Sequence, residues 1–259
     1  MLSLWPAAWS RQQRSSATMI TASLGLLLIL WLIPIPLAMA PEPIGNNAQL
    51  FADGTRVTVQ LTVVSGLFGV LLGIVAALGK VSRIAPLRWL AGFYIWVMRG
   101  TPLLVQVLFV YFALPELIPW LRLNEFSAAC VALALNVGAY NAEAIRSGLL
   151  AVPKGQMEAA RSLGLSRWHT FIDITFPQAF KIALPPLVNN IVALLKDSSL
   201  AFTIGVVELT NAGSQVKSTS FQAVPVFIAT AIIYLLLTTV MTQISDAVER
   251  RYDIEGKLR

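Results

Sequence analysis

The chain has 259 residues, of which 56% are apolar and 12% charged, with a net charge of +6 and a mean hydropathy of +0.71. Soluble domains carry about a quarter charged residues, so this composition excludes a water-soluble globular protein and places the chain in a lipid bilayer. One cysteine, Cys130, and one histidine, His169, exclude an internal disulfide and any multi-ligand Cys/His metal cluster.

In chain order, the first apolar run is Met19 to Ala40, longer than the ~20 residues that cross hydrocarbon as a helix. Arg11 and Arg14 before it and Ala38-Met39-Ala40 at its end also fit a cleavable secretory signal. The two readings leave the orientation of everything downstream unchanged. The second run, Val57 to Gly79, carries Ser65, Gly69, Gly73 and Ala77 at every fourth position. That spacing puts small residues on one helix face and reads as a packing seam.

Pro86 to Leu121 would reach ~50 Å as one helix, so it must break. Gly100-Thr101-Pro102 supplies the break, with Thr101 as cap and Pro102 in the first turn of the next helix. This predicts an interfacial segment over Leu87 to Met98, with Trp89, Tyr94 and Trp96 at headgroup depth, and a span over Pro102 to Trp120. Phe126 to Leu150, Ile182 to Val207 and Val224 to Ser245 complete six spans, and Cys130 reads as a small packing residue in the first of these.

Fourteen Lys and Arg residues lie on the side of the N-terminus, from Arg11 and Arg14 through Lys80, Arg83 and Arg88 to Lys257 and Arg259. Opposite them stand Arg56, Arg122 and Lys217, accompanied by acidic residues that include Glu42, Asp53 and Glu208. The positive-inside rule therefore places both termini in the cytoplasm, with Arg99 also on the inner face. The basic residues cluster in short links between spans, so topology accounts for them and no nucleic-acid partner is needed.

Ionisable and amide groups within spans mark a pathway or a buried pair. Asn136, Tyr140 and Glu143 share one helix face. With Gln106, Asn189, Asn190 and Asp197 they form a candidate path for a polar solute. Interhelical hydrogen bonding is the competing account of the amides, an ion pair with Arg146 that of Glu143, and a structural interhelical ion pair that of Lys196 and Asp197. Lys196 and Asp197 interrupt the fifth span and are a candidate discontinuity.

The link from Val152 to Lys181 is patterned like folded structure. Pro153 starts a helix, Gly164 stops it in the left-handed conformation, Ser166 caps a second and Pro177 ends that one, giving two short helices at an angle. Within it, Glu158-Ala159-Ala160, three residues, Gly164, nine residues and Ile174-Thr175-Phe176-Pro177 resemble the EAA loop of ABC-transporter permease subunits, with Phe176 where leucine is usual. Arg99-Gly100-Thr101-Pro102-Leu103-Leu104-Val105-Gln106, Leu184-Pro185-Pro186-Leu187 and Lys196-Asp197-Ser198-Ser199-Leu200 are similar to further stretches of the polar amino-acid branch, the histidine, glutamine and arginine type. The similarity covers roughly Phe51 to Tyr252.

The resemblance implies a single all-α transmembrane permease domain over 1–259, with an extra N-terminal span and link in 1–50 and a cytoplasmic coupling loop at 152–181. It implies residence in the bacterial inner membrane and a second permease subunit, identical or homologous. It also implies two ATP-binding subunits, an extracytoplasmic solute-binding protein and a polar amino-acid substrate. The coupling role falls on Glu158, Ala159, Ala160 and Gly164. No GxxxxGK[ST] phosphate loop occurs, so ATP and Mg would belong to the partner subunit and this chain would hold no cofactor and act as no enzyme. The alternative is a secondary amino-acid transporter driven by an ion gradient, with Asp197 and Glu143 as ion sites; its usual sign, inverted internal symmetry, is not visible in the sequence. A membrane hydrolase would need HExxH, GxSxG or a clustered acid–histidine set, none of which is present.

Overall fold

The computed structural model describes residues 9–252, so Lys257 and Arg259 of the orientation count lie outside the described residues. Helices account for nearly all of it, and among the described residues there is no strand. Five helical stretches among the described residues are long and apolar enough to cross a bilayer, and the count is six if the bent pair Ala85–Gly100 and Leu103–Leu117 is one span.

Helix α1 (Arg11–Leu32) opens on a capping box: Gln13 N–H donates to Ser10 Oγ at 3.2 Å and Ser10 N–H to Gln13 Oε1 at 2.9 Å. A short turn, Pro34–Ala38, extends the same span. Most of α1 is exposed and apolar, with Leu27 and Trp31 projecting outward, as expected of a helix bathed in lipid. Its attachment is to the last helix. Ser15 hydroxyl donates to the Ala247 carbonyl, and Arg251 Nη1 donates to Ser16 Oγ at 3.0 Å.

Helix α2 (Ala48–Val81) is the longest, at 34 residues. It begins nine residues before the apolar run because Phe51, Ala52 and Thr55 are buried beneath later helices and hold its first turns in place. Helix α3 (Ala85–Gly100) follows, and after a bend of 111° α4 (Leu103–Leu108) continues through a π-turn to Leu117. Helix α5 (Glu125–Ala151) is the central element and is packed against α2, α3, α4 and the later helices.

The expected seam is present. Ser65, Gly69, Gly73 and Ala77 are all buried, and α2 lies so close to α5 that a Cβ at Gly69 would sit 2.3 Å from Val137 Cγ1 and one at Gly73 2.6 Å from Asn141 Cβ. Small residues allow this approach in lipid, where dispersion between close backbones replaces a hydrophobic driving force.

The interfacial reading of Leu87 to Met98 is corrected. Ile95 is buried with Ala76, Ala77 and Ala142, and Tyr94 donates its hydroxyl to the Leu135 carbonyl at 2.7 Å, near the middle of α5. An apolar face on α3 thus draws the helix into the bundle, while Trp89 and Trp96 on its other side remain outward with Leu90 and Phe93. Arg99 lies over Tyr140, eleven residues before the end of α5 at Ala151.

Beyond α6 (Lys154–Ser162), the residues Arg167–His169 and a π-turn over Thr170–Thr175 run straight into α7 (Phe176–Asp197). A 3₁₀ segment, Ser198–Ile204, then ends in left-handed Gly205. Helices α8 (Leu209–Ser220) and α9 (Ala223–Arg251) close the fold. Phe51, Leu209, Val226, Ile233 and Leu237 form one core, joining α8 and α9 to the start of α2. Leu61, Val107, Val110, Ala128, Ala132 and Ala201 form another around α4 and α5.

Candidate functional site

The break between α3 and α4 is held by side chains rather than by a cap. Thr101 was expected to cap α4, but Pro102 occupies that position without a side-chain bond, and Thr101 Oγ1 donates backward to the Val97 carbonyl at 2.8 Å. Gln106 does the holding. Its Nε2 donates to the carbonyls of Met98 (2.8 Å) and Thr101 (3.1 Å) and to Thr101 Oγ1 (2.8 Å), and its Oε1 accepts from Asn136 Nδ2 at 2.9 Å. Asn136 also donates to the Met98 carbonyl at 3.2 Å. Two candidate path residues thus satisfy the loose carbonyls of a broken helix, as backbone polar groups inside a membrane require.

Tyr140, one turn further along α5, is exposed and has the Arg99 guanidinium 5.3 Å from its ring centroid. Glu143 accepts from Arg146 Nε at 3.1 and 3.0 Å and makes a further short contact with Arg146 Nη2, so the ion-pair account of Glu143 holds. Asn190 Nδ2 donates to Asn141 Oδ1 at 3.0 Å and ties α7 to α5. Asn141 is fully buried, and its own Nδ2 has no partner among the described residues.

Asn189 is exposed, beside half-buried Asn190. Asp197 is half-buried and Lys196 exposed, with no ion pair between them among those of the described residues. Asp197 ends α7, where α-helix gives way to 3₁₀, so a change of helix type occurs where the two charges interrupt the apolar run. The candidate path residues therefore divide. Gln106 and Asn136 form one cluster that takes in Arg99 and Tyr140 at the break, Asn190 joins α5 through Asn141, Glu143 is paired locally, and Asn189 and Asp197 stand on α7 away from these.

The segment between α5 and α7 is a compact elbow. Pro153 is the N-cap of α6, and the helix ends in a Schellman motif. Gly164 has φ +82°, its N–H donates to the Arg161 carbonyl at 2.9 Å, and Leu165 N–H donates to the Ala160 carbonyl at 3.1 Å. A Cβ at Gly164 would meet nothing within 4 Å, so backbone conformation alone selects glycine there. Ser166 caps the next helix, accepting from His169 N–H at 3.3 Å and lying 2.9 Å from His169 Nδ1.

Pro177 does not end that helix, which corrects the expectation of two short helices. The π-turn over Thr170–Thr175 directly before it widens the backbone where the proline ring would clash with the preceding turn, and the helix runs on into α7. Gln178 Nε2 donates to Gln156 Oε1 at 2.5 Å and to the Ile174 carbonyl at 2.8 Å, which fastens α6 to this stem. Glu158, Ala159 and Gly164 are exposed, with Leu163 (81%) and Trp168 (67%) beside them. Ala160 is buried at 5%, so its small side chain faces the elbow's own interior.

Glu208, one of the acidic residues counted opposite the N-terminal side, is fully buried and caps α8. It accepts from Thr210 N–H (2.8 Å), Asn211 N–H (2.9 Å) and the Tyr234 hydroxyl (2.8 Å), with Thr58 Oγ1 at 3.5 Å. Burial pushes this carboxyl above the usual carboxylate range, and the two backbone N–H groups oppose that rise. The available signal was an acidic residue directly before Leu209-Thr210-Asn211, a helix-start pattern.

Residues 69–254 match the family described as binding-protein-dependent transport system inner membrane component. The chain is 40% identical over 199 residues to the arginine transport system permease protein ArtQ of Bacillus subtilis, covering 77% of this chain and 90% of that one. It is 37% identical over 205 residues to the L-cystine transport system permease protein TcyB of the same organism, covering 79% and 87%. With the glutamine transport system permease protein GlnP of Escherichia coli the figures are 38% over 205 residues, 79% and 94%. Among solved structures, the crystal structure of an amino acid ABC transporter with histidines is similar at 39% identity and a TM-score of 0.74, covering 78% of this chain and 94% of that one. The MetNI methionine ABC transporter in an inward-facing conformation shares the fold at 20% identity and a TM-score of 0.68, covering 82% and 99%.

Proposed function

This chain belongs to the binding-protein-dependent transport system inner membrane component family, and on that premise we propose how its residues divide the work of transport. It is the permease subunit of an ATP-binding-cassette importer for amino acids, a multi-pass protein of the inner membrane that works with a separate ATPase subunit and a substrate-binding protein. The relatives support this ATP-driven reading and not the ion-gradient one.

The finer assignment is as follows. Two permease subunits, identical or homologous, stand over two ATPase subunits, which hold the ATP and Mg. Both termini and the elbow at 152–181 face the cytoplasm. A solute-binding protein delivers a polar amino acid on the other side. The elbow docks on the ATPase through exposed Glu158, Ala159, Gly164 and Leu163, while Ala160 keeps α6 seated on its stem. What carries this reading is the continuity of that stem with α7: a push on α6 is delivered through the Gln156–Gln178 bond and the π-turn to a helix that crosses the bilayer. Asn189, Asn190, Tyr140 and Asp197 are then the side chains placed to meet solute as that helix moves, while Gln106 and Asn136 keep the broken helix intact.

The test is co-purification in mild detergent with the ATPase subunit, followed by uptake in vesicles. Glu158→Lys and Gly164→Pro are expected to leave membrane insertion and yield unchanged and to remove the ATPase from the complex or uncouple it. Normal recovery of the ATPase together with normal uptake would overturn the docking role.

A further inference from the structure

The junction of α2 and α3 holds a cavity of about 450 Å³ outside the transport residues, lined by Lys80, Arg88, Trp89, Gly92, Phe93 and Trp96. Its chemistry is two-sided. At one end are two cations, and neither Lys80 nor Arg88 takes part in any ion pair among the described residues. Arg88 is steadied by Nη1 donating to the Ser82 carbonyl at 3.3 Å, which leaves the rest of its guanidinium free to bond. Lys80 lies across α3 where that helix has no side chain: a Cβ at Gly92 would come 2.6 Å from the ammonium. At the other end, Phe93 and Trp96 stand 61% and 71% exposed with their ring centroids 6.1 Å apart.

We propose that this cavity is a seat for an anionic phospholipid, its phosphate between Lys80 and Arg88 and an acyl chain along Phe93 and Trp96. Charge complementarity selects the occupant. Lys80 and Arg88 form no ion pair among the described residues, and Glu143, whose charge Lys80 feels, is committed to Arg146; both cations lie where apolar α2 ends, and basic pockets between helices at such a boundary hold phosphate headgroups. Arginine offers a planar fork to phosphate oxygens and lysine a point charge. Indole rings favour the same boundary, and the apolar wall suits hydrocarbon better than a free phosphate. The proposal goes beyond the transport reading and does not depend on it.

The experiment uses the full chain assembled with its ATPase, in native mass spectrometry against phosphatidylglycerol, phosphatidylcholine and free glycerol phosphate. Wild type is expected to retain phosphatidylglycerol preferentially. Lys80→Gln with Arg88→Gln should weaken that retention about 30-fold, the sum expected of two basic groups at a membrane surface. Lys80→Arg with Arg88→Lys should largely restore it, and Trp96→Ala should weaken phosphatidylglycerol but not glycerol phosphate. Thermal melting of each variant separates loss of the site from loss of fold. Equal retention by the double Gln variant, equal retention of phosphatidylcholine by wild type, or free glycerol phosphate binding as well as the lipid would each overturn the proposal. So would dissociation of permease subunits in the double variant, which would make this face a contact between copies.

Discussion

Replacing Glu208 tests whether one buried carboxylate fixes α2, α8 and α9 together. Glu208→Ala strips an acceptor from Thr210 N–H, Asn211 N–H and the Tyr234 hydroxyl, three half-buried donors gathered on a fully buried carboxyl. Losing a helix cap costs about 1–2 kcal/mol and losing the Tyr234 hydroxyl's bond to a charged acceptor about 1.5–3, although Thr210 Oγ1 stays 3.1 Å from that hydroxyl; against this the desolvation of a charge is relieved. The net is a loss of about 2–4 kcal/mol, a fall of roughly 5–15 °C in melting temperature for a chain of this size. Thermal unfolding of the detergent-solubilised complex is the assay. A Glu208→Ala protein melting within about 2 °C of wild type would refute the reasoning.

The same residue predicts a pH dependence. Because the folded carboxyl lies above the usual carboxylate range, the folded state binds more protons than the unfolded one between the ordinary value and the raised one. Stability from this group is therefore fully present below the ordinary carboxylate range and is lost as pH rises through the raised value. Glu208→Gln removes that slope, so the difference in melting temperature, wild type minus Gln, should decline with rising pH across that window. A flat difference, or one that grows, contradicts the assignment of burial as the dominant influence.

Other expectations follow from close contacts. Asn136→Leu removes a donor from Gln106 and from the Met98 carbonyl, and should destabilise by about 1–3 kcal/mol; a double-mutant cycle with Gln106→Leu should show coupling, since the two amides share one network. Gly73→Ala forces a Cβ onto Asn141 and should cost about 1–3 kcal/mol, whereas Gly25→Ala, with nothing within 4 Å, should be neutral or stabilising by up to about 1 kcal/mol; melting temperatures distinguish the two. Gly164→Asn should retain ATPase association better than Gly164→Val, because Asn tolerates the left-handed conformation and there is room for either side chain; equal recovery of the ATPase with both would show that backbone strain is not what matters there.

What could be read from the sequence was whatever depends on local pattern. Long apolar runs gave five spans, the fourfold spacing of small residues gave the α2–α5 seam, and Pro153, Gly164 and Ser166 marked the boundaries of α6 and its successor because caps are chosen by backbone chemistry at single positions. Pro177 misled because a π-turn one step earlier absorbs the clash, and such a turn has no strong composition of its own. Thr101 misled because a hydroxyl at a break can bond in either direction, and here the carbonyl of Val97 lay behind it. Glu208 was missed because a count of charges by side has no third dimension: the same acidic residue in the same outer link serves as a solvated charge or as a buried cap, and only Thr58 and Tyr234, 150 and 26 residues away, decide which.

Each interruption of a helix in this bundle is met by a polar side chain. Gln106 and Asn136 close the break at Thr101, Glu208 opens α8, and Ser198, the residue after Lys196 and Asp197, returns its hydroxyl to the Leu195 carbonyl at 2.8 Å where α7 turns 3₁₀. In hydrocarbon an unpaired carbonyl or N–H is expensive, so each interruption must carry its own partner. Those partners make the interruptions rigid in the resting fold, which leaves motion to the places without them. Asn189 and Asp197 on α7 are such a place, being polar and not locked by any interhelical bond given above, and α7 is also the helix continuous with the elbow. A permease driven from outside is served by that combination: stiff breaks that preserve the bundle, and an elbow continuous with a membrane-spanning helix.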